Sequence, residues 1–397
     1  MEKATTLLYC LVFCTANALC QTPVHCGTVH KLASPTPTAS PVTMADERMV
    51  VNIPVVVHVV YNIAAENISD EQILSQIEVL NSDFSASNPE IQSIVPPMFE
   101  PVIGNIGFHF CLASKDPDGN ATTGITRTHT DNNIGIGGTA AIHYTAQGGH
   151  DAWPIDKYLN IWVAKFAGGI GGVATFPGEG PDAEQGIQIS YKQFGTIGTA
   201  ATPPYNLGRT ATHEIGHYFN LEHLWGPNQN SCCTEDDGVL DTPVSCEDYL
   251  HECPSGTTFS CLAPDMWMNF MNYTDDACMA MFTLGQKQRM YEALENFRAG
   301  LLSSDGCQAV GTEEEHRQAG LEVSGNPAQD EIRFEIKDRG NGFWKVRLCN
   351  LLGQAVIKLD LFPNQPQTIS CQTLPRGLYL LVASQNETHL TKLVTLN

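Results

Sequence analysis

The stretch that most limits what this chain can fold into is His213-Glu214-Ile215-Gly216-His217, followed by His223. On a helix, His213 and His217 fall one above the other on a single face. Two imidazoles so placed can grip one zinc ion, and Glu214 beside them is placed to act as a general base on water. His223 lies six residues past His217, and a continuing helix would carry it off that face. The chain must therefore turn between them. The turn falls at Asn220, and after glycine asparagine is the residue that most readily accepts positive φ. Scattered histidines on an ordinary helix are the alternative, but a third His at this offset arises by chance far less often than the bare five-residue motif.

The 397 residues exceed one ordinary domain, so two or more folded units are expected. A net charge of −22 with only 21 basic residues argues against nucleic acid and anionic membranes as partners. Residues 1–20 read as an export signal: Lys3, an apolar run over 7–13, and Ala16-Asn17-Ala18, with cleavage after Ala18 or Cys20. That run is too short to span a bilayer, and no later stretch is a membrane span. Of 14 cysteines, Cys10 and Cys14 leave with the signal, and six lie between Cys232 and Cys278. In an exported chain that cluster reads as disulfides; a second zinc site is the alternative, without a clean pair of C-x-x-C knuckles to support it.

Residues 21–48, rich in Pro, Ser, Thr and Ala, cannot bury enough apolar surface to fold alone. Within them Cys26 is either an unpaired or disulfide-bonded thiol, or a zinc ligand filling the position that water needs. Residues 50–61 form an apolar, β-branched run typical of a buried strand, with His58 as a core histidine. Ser69 caps an amphipathic helix carrying Ile73, Ile77 and Leu80. Further strands are expected at 106–113, 159–166 and 186–195. The glycine-rich stretch 167–181 lacks any phosphate-binding pattern; it reads as an edge strand centred on Val173-Ala174-Thr175, with which an extended peptide can pair. The motif helix should begin near Arg209, and residues 284–301 have helical periodicity. Residues 309–320 read as a polar linker. Residues 321–397 alternate as short strands of a small β-sandwich with no catalytic cluster.

The segments "GRTATHEIGHYFNLEHLWG", "NFMNYTDDACMAMFTLGQKQRM", "IPVVVHVVY", "GGVATFP" and "CGT" resemble the metzincin zinc proteases, and within them the pappalysin family, over residues 21–307. Asn220 departs from the family's usual glycine. The resemblance implies an α+β catalytic domain over 49–308: a twisted mixed sheet, an active-site helix and a loop-rich lower subdomain. Met271 would be the apolar floor beneath the histidines, and Tyr273 would steady the tetrahedral intermediate. Cys26 would hold the zinc of a latent form, with an activation cut after Arg48 freeing Met49 or Val50. Asp276 corresponds to an acid near the pocket for the residue after the scissile bond, and members carrying it cut before Arg or Lys; a turn-capping role is the alternative. Asp237 and Asp241 resemble a calcium-binding region, with loop capping as the alternative. In the tail, "SGNPAQDEIRFEI", "VRLCNLLGQAV" and "LPRGLYLLV" resemble the C-terminal sorting domain of the type IX secretion system. That implies contact with the secretion machinery, export across the outer membrane, and release or surface attachment; a generic β-sandwich binding module is the alternative. The expectation is a secreted zinc endopeptidase, made as a zymogen and acting on protein or peptide substrates. An inactive metzincin-like adhesion protein is the rival, and intact Glu214 speaks against it.

Overall fold

A computed structural model describes residues 26–28, 50–132, 134, 140–166, 169–227, 233–307, 320–324, 326–338, 344–350, 355–361, 363–385 and 388–397. The expected signal segment, Arg48, Met49 and most of the propeptide and linker lie outside these. The chain divides into two compact units, Met1–Val310 and Gly311–Asn397.

The first unit is built on six strands: β1 (Val51–Tyr61), β2 (Phe108–Leu112), β3 (Ile125–His129), β4 (Leu159–Ala164), β5 (Gly172–Ala174) and β6 (Ile187–Ser190). Their order is β2-β1-β4-β6-β5, and β3 also pairs with β1. Only β5 runs antiparallel to its neighbour, and it forms one edge of the sheet. The near-continuous apolar run of β1 is explained by burial on both faces: nine of its eleven residues are buried. His58 in its middle is fully buried and satisfied, with hydrogen-bonded contacts to Thr126 (2.8 Å) and Asn160 (2.9 Å).

Helix α1 (Asp70–Phe84), capped by Ser69 accepting from the Gln72 amide, buries Ile73, Ile77, Leu80 and Phe84 against the sheet. The short α2 (Glu90–Ile94) follows, then α3 (Arg209–Tyr218) with the histidine motif, and α4 (Leu284–Phe297). Alpha-helical structure stops at Phe297, short of the expected 301. Residues Ala299–Ser303 tighten into a 3-10 turn, where a side chain on Gly300 would strike the Asp156 backbone. The strand expected over 186–195 covers only Ile187–Ser190, and that expected at 106–113 covers Phe108–Leu112.

Cys233 pairs with Cys261 and Cys253 with Cys278, and Cys246 is also disulfide-bonded, in line with the disulfide reading of the cluster. Cys111–Cys307 ties β2 to the end of the unit across 196 residues.

The second unit has a three-stranded sheet, β11-β8-β7, and a four-stranded sheet, β10-β9-β12-β13. Its strands are β7 (Gly320–Ser324), β8 (Glu331–Lys337), β9 (Trp344–Cys349), β10 (Ala355–Leu361), β11 (Gln367–Ser370), β12 (Gly377–Gln385) and β13 (Thr388–Leu396). Alternation in β8 buries Ile332, Phe334 and Ile336. They share one core with Val346, Leu348, Leu381 and Val394 from the other sheet.

Candidate active site and metal centre

All ten residues of α3 are buried, so its ends have to be satisfied by protein groups. At the start, the Asp276 carboxylate accepts from the amides of Leu207 (2.7 Å) and Arg209 (3.3 Å), an anion where the helix dipole favours one. Arg209 pairs with Asp83 and Glu90, and Thr212 donates to Asp83 (2.6 Å), fastening α3 to α1 and α2. Burial pushes Asp83 up to about 6 and Asp276 up to about 7, against the pull of those donors.

The other end is a Schellman turn. Leu221 N–H donates to Gly216 O (2.9 Å), Asn220 N–H donates to His217 O (2.9 Å), and Asn220 sits at φ 71°. This reversal brings His223 back, with its Nε2 3.2 Å from His213 Nε2 and 3.1 Å from His217 Nε2. The His213 and His217 Nε2 atoms are 3.0 Å apart. Each of these two rings contacts a carbonyl through Nδ1: Phe270 O for His213 and Leu221 O for His217, both at 2.7 Å. A carbonyl only accepts, so Nδ1 carries the proton and each Nε2 is unprotonated. Burial holds His213 down to about 4, which keeps that ring neutral. Neutral imidazoles with lone pairs facing one another at this distance repel unless a cation lies between them.

Cys26 completes the set. Its Sγ is 3.6 Å from His217 Nε2, and the ligand atoms of Cys26, His213, His217 and His223 all lie within 4.8 Å of one another. A tetrahedral ion with such donors holds nitrogens about 3.3 Å apart and sulfur about 3.6 Å from each nitrogen, close to these spacings. Among the described residues no other group of three or more His, Cys, Asp or Glu converges in this way.

Met271 lies under the motif, where Gly216 admits its sulfur and a Cβ would collide with it. The Tyr273 hydroxyl is 3.0 Å from His223 Nε2, and burial raises its pKa well above the usual phenol value. Trp225, which the sequence reading missed, stacks on His223 at 4.7 Å with planes 13° apart. An aromatic residue two positions after the third histidine was the available signal.

Glu214 is fully buried, and burial pushes it up to about 8 while the Thr28 hydroxyl pulls the other way. The Cys26 thiol is raised well above its ordinary value by burial and by Glu214. A bound cation would act in the opposite direction on both. The expected peptide-binding edge is β5, and residues 26–28 occupy it: Gly27 N–H donates to Gly172 O (2.9 Å) and Ala174 N–H to the Thr28 hydroxyl (2.8 Å). The outward groups in use thus belong to Gly172 and Ala174, one residue earlier than the centre expected at Val173–Thr175. Thr175 is turned inward: its amide donates to Gly186 O (3.0 Å), and Arg298 donates to its carbonyl (3.1 Å). Arg298, also missed, donates to Tyr218 O (2.8 Å) as well, bracing β5 against the end of α3.

Asp241 caps α4, accepting from Thr283 Oγ1 (2.7 Å) and Gly285 N–H (2.8 Å). Asp237 is buried and accepts from Thr242 Oγ1 (2.7 Å) and Val239 N–H (3.1 Å).

Residues 144–295 match the family model described as pregnancy-associated plasma protein-A, and residues 324–397 match a secretion-system C-terminal sorting domain. An extracellular metalloprotease of Arthroderma gypseum is 30% identical over 61% of this chain and 72% of its own length. Mature mirolysin of Tannerella forsythia, solved with a cleaved peptide, is 43% identical with a TM-score of 0.59, over 64% of this chain and 95% of that one. Promirolysin from the same organism is 42% identical with the same TM-score, over 64% of this chain and 84% of that one. The chain belongs to the pappalysin family of metzincin metalloproteases. It is a metalloendopeptidase of the metzincin fold, and its all-β tail marks it for secretion or attachment at the cell surface.

Proposed function

We propose that the ion is zinc, held by His213, His217 and His223, with Cys26 as the fourth ligand in a latent precursor. The observation that carries this is the pair of Nδ1 contacts, which leaves unprotonated Nε2 atoms converging on one point. Neutral imidazoles plus a thiolate in a tetrahedral set suit zinc. Bound there, zinc supplies a Lewis acid that polarises the scissile carbonyl and brings the pKa of water towards about 7. The chain's own residues do the rest. A substrate peptide lies extended along β5 and pairs with Gly172 O and Ala174 N–H, vacated by residues 26–28. Glu214 takes a proton from the attacking water and passes it to the leaving amine. Tyr273, still protonated at neutral pH, donates to the developing oxyanion.

Precursor latency is supported by the occupied edge and by the likeness to promirolysin. In this reading residues 1–20 are the signal, 21–48 a propeptide released by a cut after Arg48, 49–308 the catalytic domain, 309–320 the linker and 321–397 the sorting domain. Asp276, with its Oδ1 unpartnered, would favour cleavage before Arg or Lys. Calcium at Asp237 and Asp241 rests on residue type and on the unpartnered Asp237 Oδ2, and a calcium-dependent rise in melting temperature tests it. The central experiment is Glu214→Ala in the processed enzyme. Zinc content should stay at wild type while peptide cleavage falls by at least about a hundredfold. Unchanged cleavage would remove Glu214 from the mechanism, and wild-type cleavage after chelation would remove the metal.

A further inference from the structure

Cys26 is one of two side chains that residues 26–28 insert into the site. Thr28 accepts at its hydroxyl from Ala174 N–H (2.8 Å) and lies 2.7 Å from Glu214 Oε2. A hydroxyl has one proton, and the Ala174 amide supplies its own, so the threonine proton is directed at the carboxylate. The Oε2 atom therefore already accepts a hydrogen bond in the precursor. The same residue reaches the thiol as well, its amide donating to Cys26 Sγ (3.2 Å). Gly27 between them has a reason too: a Cβ there would press to 3.0 Å on Ile170 and Val173.

We propose that Thr28 is a second latch: while Cys26 holds the metal position, the Thr28 hydroxyl engages the general base. This rests on the reading of Cys26 and Glu214 given above and adds a separate contact to it. Latency is then a two-point device carried by three consecutive residues, one thiol, one hydroxyl and a glycine that lets both lie flat on β5. Each point is lost when the segment lifts off the strand, so opening frees the metal position and the base together.

The test uses the full-length, zinc-loaded precursor and the alkylation rate of Cys26 by iodoacetamide, resolved by peptide mapping on unprocessed chain. Four proteins form the cycle: wild type, Thr28→Val, Glu214→Ala and the double variant. Thr28→Val should be alkylated about ten- to a hundredfold faster than wild type, the range for losing a hydrogen bond to a charged group. In the Glu214→Ala background the same substitution should change the rate by no more than about twofold, since the acceptor is already gone. Thr28→Ser keeps the hydroxyl and should be protected like wild type, which separates loss of the bond from a fold defect. Equal rates for wild type and Thr28→Val, or equal acceleration in both backgrounds, would overturn the latch. A wild-type Cys26 as reactive as that of the zinc-free precursor is a different failure, since it removes the thiol block beneath it. Residue 28 leaves with the propeptide, so enzyme processed from Thr28→Val should have wild-type kcat/KM.

Discussion

Gly172 faces the catalytic carboxylate, which makes Gly172→Ala a sharp probe of how closely β5 and α3 are matched. A Cβ at this position would lie 2.5 Å from Glu214 Cγ, 2.6 Å from Oε1 and 2.8 Å from Cδ. Carbon atoms in ordinary contact sit about 3.5–4.0 Å apart, so something must withdraw by about 1 Å. Helix α3 is held at its start by Asp276 and Arg209 and at its end by the turn at Asn220. Strand β5 is held by β6 and by Arg298 at the Thr175 carbonyl. Whichever side gives, Glu214 and β5 lose their mutual placement. A displacement of about 1 Å in a reacting group costs about a hundredfold in rate, or about 2.7 kcal/mol of barrier. The three atoms nearest the added methyl all belong to Glu214, so metal content should be unchanged. The assay is kcat on a quenched-fluorescence peptide with processed enzyme, alongside metal analysis and a melting curve. A folded, metal-replete Gly172→Ala enzyme within about threefold of wild-type kcat, under ~0.7 kcal/mol of barrier, would refute the close fit.

Asn220→Gly should keep metal binding and stability near wild type, whereas Asn220→Val should cost roughly 1–2 kcal/mol, because φ 71° suits glycine and strains a β-branched residue; equal metal-dependent melting shifts for the two would deny the turn its role. Asp276 has a folded pKa raised to about 7 by burial, so folding takes up a proton and its contribution is complete only below the ordinary carboxylate range. Stability of wild type relative to Asp276→Asn should therefore fall as pH rises through the window ending near 7. A melting-temperature difference that stays flat across that window would contradict it. The same variant, screened on a peptide library, should lose preference for Arg or Lys after the cut if Asp276 serves that pocket.

What could be read from the sequence was local and periodic. The i, i+4 histidines, the necessary turn before His223, the two-sided burial of β1 and the alternation of β8 each follow from a few neighbouring residues. The parts that escaped depend on distant segments meeting. Strand β3, Ile-Thr-Arg-Thr-His, has no buried face to give it a pattern; Arg127 instead reaches Ile68 O (2.7 Å), Asn67 and Asp70. Arg209 with Asp83, and Thr28 with Glu214, join residues more than a hundred positions apart. Arg298 is a buried guanidinium satisfied by the Tyr218 and Thr175 carbonyls and Gln185, and its sequence neighbourhood gives no hint of it. The exact edge position also escaped, because which backbone groups of β5 face outward depends on its register with β6: Val173 lies opposite Gln188.

On the mechanism proposed above, that register would make inhibition and turnover compete for one set of groups. Gly172 O, Ala174 N–H, Glu214 Oε2 and the position opposite the three imidazoles are all engaged by residues 26–28; on the mechanism proposed above, a substrate peptide would pair with the first two and the attacking water would need the others. Three residues offer few contacts, so their hold depends on being part of the same chain, where a short tether acts as an effective concentration in the millimolar range. A cut anywhere between residues 28 and 50 turns that intramolecular contact into a bimolecular one. The released segment then has to compete by its own affinity, through one strand bridge, one thiol and one hydroxyl, against every extended peptide that reaches β5. On this reading activation would follow from the loss of covalent continuity with the residues lying on β5.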